Sequence, residues 1–199
     1  MSQAADKRDS APGWTGATTD PTRLVLLRHG QSPMSIRREY SGSRSNPDLT
    51  EVGRQQAKAA ARHLAALVDS GNMSFSAIVA SPQRRAQQTA EAAAKALGLD
   101  IHVEEDLRET DFGQWEGMTF SEAHNATPEL HSSWLADPAV APPEGEDFPT
   151  VDSRVSAARE RIAQQFGASD VLVVSHVTPI KSLLRQGLGC GFEIFTRLH

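Results

Sequence analysis

From Pro21 onward, short apolar runs alternate with longer amphipathic segments. Leu24-Val25-Leu26-Leu27, Ala77 to Ala80, Ile101 to Val103 and Val171 to Val174 have strand length and predict four strands. Between them the spacing becomes helical. Thr50 suits the N-cap of a helix reaching about Val68, along which Val52, Ala60, Leu64, Leu67 and Val68 can form one apolar stripe. Ser81-Pro82 opens an alanine-rich helix that ends near Leu97, with Gly98 at its C′ position. From Asp106 to Glu146 the pattern is less periodic, with short helices around Thr119 to Ala126 and Glu129 to Leu135 before the turn-rich Pro142-Pro143-Glu144-Gly145. A long helix through Val151 to Phe166 carries Val155, Ala158, Ile162 and Phe166 on one side. The last strand runs through Ser175-His176 into a helix from Pro179 to about Leu188.

This alternation predicts an α/β fold, a three-layer sandwich with a mainly parallel sheet and helices on both faces. The first strand, Arg23 to Leu27, is continuously apolar, as expected of a strand covered on both faces. Residues 1–20 differ in composition: Gly, Pro, Ser, Thr and Ala dominate, and there is no apolar segment of a secretory signal. They read as a flexible tail or linker ahead of a domain over 21–199.

Composition narrows the function classes. With 199 residues, 39% of them hydrophobic, the chain can bury a core without disulfides or metal. A net charge of -5 argues against a nucleic-acid surface across the domain, while leaving room for a local basic site for a small anion. No apolar stretch approaches the length of a membrane span. The single Cys190 excludes an internal disulfide and a multi-cysteine zinc site, and fits a reducing, cytoplasmic setting.

The chemistry gathers just past the predicted strands. The first delivers Arg28-His29-Gly30, the second Ser81-Pro82-Gln83-Arg84-Arg85, the third Leu107-Arg108-Glu109 and the fourth Ser175-His176. In an open parallel sheet these carboxyl ends share one edge, where ligands bind. Two arginines, two histidines and a glutamate meeting there form an anion site with a nucleophile and a proton donor, the inventory of phosphoryl transfer.

The segments LVLLRHGQS, YSGSRSNPDLTEVGRQQA, SPQRRAQQTA, LRETDFGQWEG, PPEGEDF and VLVVSHVTPIKSLL, in this order from Leu24 to Leu184, resemble the histidine phosphatase superfamily, the phosphoglycerate-mutase-like group. The wording is nearest to alpha-ribazole-phosphatase-like domains, including those joined behind an RNase H domain in actinobacterial proteins. No RNase H segment is visible in this chain, and that activity is not carried over.

The resemblance implies a metal-independent phosphomonoesterase that needs no cofactor and acts on a small phosphorylated metabolite. It makes His29 the phosphoryl acceptor, Arg28 and Arg85 the phosphoryl clamps, His176 a donor to the same group, and Glu109 the acid that protonates the leaving oxygen. Arg85 is chosen over Arg84 because the family's arginine precedes alanine. A glutamate among so many cations tends to ionise, so an acidic optimum is expected.

Ser35, Ser41, Gly42 and Val177 complete the expected substrate-binding set. Ser35 stands where many relatives have asparagine, and Val177-Thr178 where many have Gly-Gly. The Val177 N–H is expected to face phosphate, and the cluster Arg37, Arg38 and Arg44 reads as a solvated loop or a dock for a second anionic group. Relatives usually continue past Phe195–His199 into a further edge strand, so a bare edge, or one completed by a second copy in a homodimer, is expected here. A phosphoglycerate-type mutase and a weakly active phosphate-binding or assembly module are the alternatives.

Overall fold

The computed structural model describes residues 21–198; the expected tail over 1–20 lies outside them, as does His199. Strands β1 (Arg23–Arg28), β2 (Phe75–Ala80), β3 (Ile101–Val103) and β4 (Asp170–Ser175) form one all-parallel sheet in the order β1-β4-β2-β3. Arg28 lies opposite Ser175, and Ala80 opposite both Val174 and Val103, so the carboxyl ends are level along one edge. The helices are α1 (Pro33–Arg37), α2 (Glu51–Asp69), α3 (Arg84–Leu97), α4 (Phe120–Ala126), α5 (Pro128–Ala136), α6 (Phe148–Phe166), α7 (Val177–Leu188) and α8 (Ile194–Arg197).

Successive strand side chains point to opposite faces, which builds the three layers. Ala77, Val79, Val171 and Val173 meet Val151, Val155, Ala158 and Ile162 of α6 and Leu183 of α7. Ile78, Ala80, Leu172 and Val174 meet Leu64 of α2 and Ala86, Ala90 and Ala93 of α3. The small alanines let α3 lie close to the sheet, as its alanine-rich sequence requires. A third cluster, Tyr40, Trp115, Ala123 and Trp134, gathers α4, α5 and the loop after α1.

Several elements depart from the sequence expectation. Val52 is 50% exposed and Val68 also faces solvent, while Gly53, Ala57, Ala61 and Leu64 form the buried stripe of α2. The rotation is set by a backbone crossing: a Cβ on Gly53 would sit 2.1 Å from the Gln31 carbonyl oxygen, and one on Gly30 would sit 2.4 Å from that of Gly53. Leu24, Val25, Leu26 and Leu27 are only partly buried, because among the described residues β1 is an edge strand paired with β4 alone.

Helix starts also shift. The third helix begins at Arg84, three residues after Ser81. The sixth begins at Phe148, where the Asp147 carboxylate accepts the Thr150 N–H at 2.7 Å. The seventh begins at Val177, ahead of Pro179. The five-residue α1 interrupts the expected loop, held by reciprocal bonds between Ser32 and Ser35. After α7 the chain forms α8, with the Phe195 ring stacked 4.8 Å from Phe148. Among the described residues no helix is long and apolar enough to cross a membrane.

Candidate active site

A cleft of about 640 Å³ opens at the carboxyl edge of the sheet, and Arg28, His29, Ser35, Ser41, Glu109 and Val177 all line it. His29 follows the last residue of β1, and its backbone N–H donates to the Ser175 carbonyl at 3.1 Å, which ties it to the end of β4. Its Nδ1 lies 2.7 Å from the Gly30 carbonyl. A carbonyl only accepts, so Nδ1 carries the proton and Nε2 keeps its lone pair. The Nε–H of Arg85 donates to that Nε2 at 3.3 Å.

Burial, with smaller effects from Arg85 and Arg28, pulls the His29 pKa down to about 3. The ring is therefore neutral at physiological pH. His176, wholly buried, lies with its ring centroid 5.1 Å from that of His29, and its Nε2 is 2.7 Å from the Ser81 hydroxyl. Its Nδ1 is buried without a partner among the described residues. Burial, followed by the charge of Arg85, also lowers its pKa well below the ordinary histidine value.

The arrangement makes folding stability depend on pH. Unfolded histidines titrate near 6.5, whereas these two stay neutral when folded, so below that pH the unfolded state takes up protons that the folded state refuses. Stability is then lost on acidification from about pH 6.5 towards 3, by up to about 1.4 kcal/mol per pH unit for each such group. His131, whose pKa is lowered by burial and by His124, adds to the same trend. Urea unfolding should show a lower midpoint at pH 5 than at pH 7.5, and a smaller drop in His29→Gln. Equal midpoints would contradict the neutral-histidine reading.

Arg85 is 1% exposed and is aimed by backbone carbonyls. Its Nη1 donates to Ser45 O at 2.9 Å, and its Nη2 to Ser41 O at 3.1 Å and Gly42 O at 3.2 Å. Arg84 turns away and pairs with Asp48 at 2.7 Å. Thr89, one helical turn on, accepts the Gly30 N–H at 3.1 Å and donates to Arg85 O, coupling α3 to the His29 loop.

Glu109 is buried beside the start of α7, where its carboxylate accepts N–H bonds from Thr110 at 2.9 Å, Val177 at 3.0 Å and Thr178 at 3.2 Å. The Val177 N–H, expected to face phosphate, is thus held by Glu109. Ser35 donates its hydroxyl to Ser32 O at 2.8 Å, engaged in capping α1 although it borders the cleft. The Gly42 N–H donates to Glu116 at 3.0 Å, and any Cβ there would collide with Thr110 O at 2.2 Å. The Ser41 hydroxyl is buried with no partner among the described residues.

Three positioning residues were not among the expected set. Glu116 accepts from the N–H groups of Gly42 and Arg44 and from the Ser45 hydroxyl, and so holds the loop whose carbonyls aim Arg85. Gln83 donates to Gly42 O and Ser45 O and accepts the Glu109 N–H at 2.9 Å, joining that loop to the glutamate. Arg154 of α6 donates to the carbonyls of Asp106, Arg108 and Glu109. Only Gln83 carried a signal in sequence, by its place beside Arg84-Arg85.

Two neutral histidines and a carbonyl-aimed arginine thus meet at the carboxyl edge of a parallel sheet, where ligands bind in such folds. The description histidine phosphatase superfamily, branch 1, matches residues 24–199, and the chain belongs to that superfamily. It is 52% identical over 195 residues to the bifunctional protein Rv2228c of Mycobacterium tuberculosis, covering 98% of this chain and 52% of that protein. The chain thus spans about half the length of that relative. A mycobacterial glucosyl-3-phosphoglycerate phosphatase in complex with VO3 is 31% identical, with a TM-score of 0.77 over 89% of this chain and 87% of the other. The alpha-ribazole phosphatase of Shigella flexneri is 29% identical, with a TM-score of 0.76 over 88% and 84%.

Proposed function

We propose that the chain is a metal-independent phosphomonoesterase that hydrolyses a small phosphorylated metabolite through a phosphohistidine on His29. The observation that carries this reading is the tautomer of His29: Nδ1–H donates to Gly30 O, leaving a neutral Nε2 beside Arg85 in an open cleft. Membership of the superfamily and phosphatases among the similar proteins support it.

In the first step Nε2 attacks phosphorus, the P–N bond forms and the P–O bond to the alcohol breaks. Glu109 gives a proton to the departing oxygen. Arg28 and Arg85 stabilise the charge spreading over the phosphoryl oxygens, and the unpartnered Nδ1 of His176 offers a further donor. Glu109 then takes a proton from water, whose oxygen attacks phosphorus as the P–N bond breaks, restoring neutral His29. Among the described residues no group of three or more His, Cys, Asp or Glu side chains is arranged to hold a metal ion.

The test is hydrolysis of a generic aryl phosphate in excess EDTA. Turnover should persist undiminished. Loss of turnover in EDTA would defeat the metal-free mechanism.

A further inference from the structure

Of the arginine cluster that follows the His29 loop, Arg37 and Arg44 are engaged by neighbours. Arg37 pairs with Glu39, its Nη2 donating at 2.9 Å, and Arg44 pairs with Asp111 at 2.8 Å and donates to Glu144 O. Arg38 is exposed and borders the cleft that holds His29, and its side chain has no hydrogen-bond or ion-pair partner among the described residues. The other charged side chains bordering that cleft are Arg28, Glu39, Glu109 and Lys181. Glu39 is taken by Arg37, and Glu109 accepts the N–H groups of Thr110, Val177 and Thr178. The Lys181 ammonium donates to Phe195 O at 2.7 Å, and burial lowers its pKa. Arg28 and Arg85 are the clamps proposed for the phosphoryl group, so Arg38 is a cleft cation beyond what that group uses.

The backbone that carries Arg38 is pinned on both sides. Arg38 closes α1 in the left-handed region, at φ 57° and ψ 41°, which is unfavourable for a residue with a Cβ. Before it, Ser32 and Ser35 cap the start of α1, and the N–H groups of Arg38 and Glu39 both donate to Met34 O. After it, Glu39 bridges to Thr119, and the Tyr40 N–H donates to Met118 O at 2.8 Å. Non-glycine residues held in this region gather at ligand clamps, where the surroundings fix them. A guanidinium on an anchored backbone also meets a ligand at a lower ordering cost than one on a loose loop.

Building on the phosphomonoesterase reading, we infer that the substrate carries a carboxylate besides its phosphoryl group, and that Arg38 is the specificity-determining residue that receives it. The guanidinium presents parallel N–H donors that match the two oxygens of a carboxylate. A singly charged group suits this place better than a second phosphate, because Glu122 lies close to Glu39 and Arg37 offsets only one of the two carboxylates. Arg38 takes no part in the phosphoryl chemistry.

The test compares phosphooxyacetate, 3-phosphooxypropanoate and 4-phosphooxybutanoate with their primary amides, which keep the shape and remove the charge. At the chain length that reaches Arg38, kcat/KM should favour the acid by about tenfold, the lower end for a charged hydrogen bond because Arg38 is exposed. Arg38→Asn, whose side chain tolerates the left-handed region, should bring that ratio close to one, mainly through KM. Arg38→Lys should keep part of it, with a point charge in place of the fork. The non-hydrolysable 3-phosphonopropanoate, 4-phosphonobutanoate and 5-phosphonopentanoate, each measured against its amide, should repeat the order in binding alone. A ratio near one at every length in the wild type would overturn the inference and leave the phosphatase reading in place. So would an acid preference that survives Arg38→Asn and is lost in Lys181→Met. Esters left intact while a phosphonate binds through Arg38 would overturn the phosphatase reading instead, and intact esters with no acid preference in binding would overturn both.

Discussion

Replacing His29 with alanine should lower kcat by about 10⁵-fold, the scale on which loss of a nucleophile in a covalent mechanism is felt. The size of the effect follows from the absence of a substitute. His176 is the other ring within reach, but it is wholly buried with its Nε2 at the Ser81 hydroxyl, so it cannot take over the attack. Arg28 and Arg85, the proposed phosphoryl clamps, remain in the variant, so KM should change far less than kcat. The fold should survive, because the contact fixing this position is the backbone bond from residue 29 to Ser175 O. The measurement pairs aryl phosphate turnover with rapid quenching and recovery of an acid-labile, alkali-stable phosphoenzyme. Wild type should yield the labelled species and His29→Ala none. Unchanged turnover, or a phosphoenzyme persisting in the variant, would remove His29 from the role proposed for it.

What could be read from the chain, and what could not, divides along a physical line. Strand alternation and helix periodicity are local, and so the four strands, the three layers and the shared carboxyl edge were legible from residue spacing. Val52 and Val68 misled because α2 is rotated by its contact with Gln31, a backbone crossing that hydrophobicity does not encode. The five residues of α1 are too few to show a period, and only the Ser32–Ser35 pair marks them. Arg28, His29, Arg85, Glu109 and His176 were singled out by their motifs, and the structure puts Arg28, His29 and Glu109 in one cleft with Arg85 and His176 beside the His29 ring. The roles of Glu116, Gln83 and Arg154 could not be named in advance, since a polar side chain says nothing of which distant carbonyl or N–H it will meet. The same limit explains Val177 and Ser35: each was assigned a donor, but the Val177 N–H meets Glu109 and the Ser35 hydroxyl meets Ser32.

Arg85 gives the second large effect, and one in which activity and stability can be separated. Its guanidinium reaches His29 with Nε and the carbonyls of Ser41, Gly42 and Ser45 with Nη1 and Nη2, so one planar group both meets the proposed nucleophile and ties down the loop after it. Arg85→Ala should cost about 10³-fold in kcat, as expected for removing a fixed donor to transition-state charge. It should also destabilise the fold by about 3 kcal/mol, because buried carbonyls lose their donors. Lysine restores the charge but not the fork: one ammonium cannot span Nε2 of His29 and three carbonyls, so Arg85→Lys should recover stability in part and kcat by less than about tenfold. Arg84→Ala is the control, since Arg84 lies on Asp48 at the surface, and its turnover should stay near wild type. The decisive pair of measurements is kcat against unfolding midpoint across the three variants. If Arg85→Lys matched wild type in kcat, a simple positive charge would suffice and the aimed guanidinium would not be the clamp. If Arg84→Ala lost more activity than Arg85→Ala, the assignment of the two arginines would have to be exchanged.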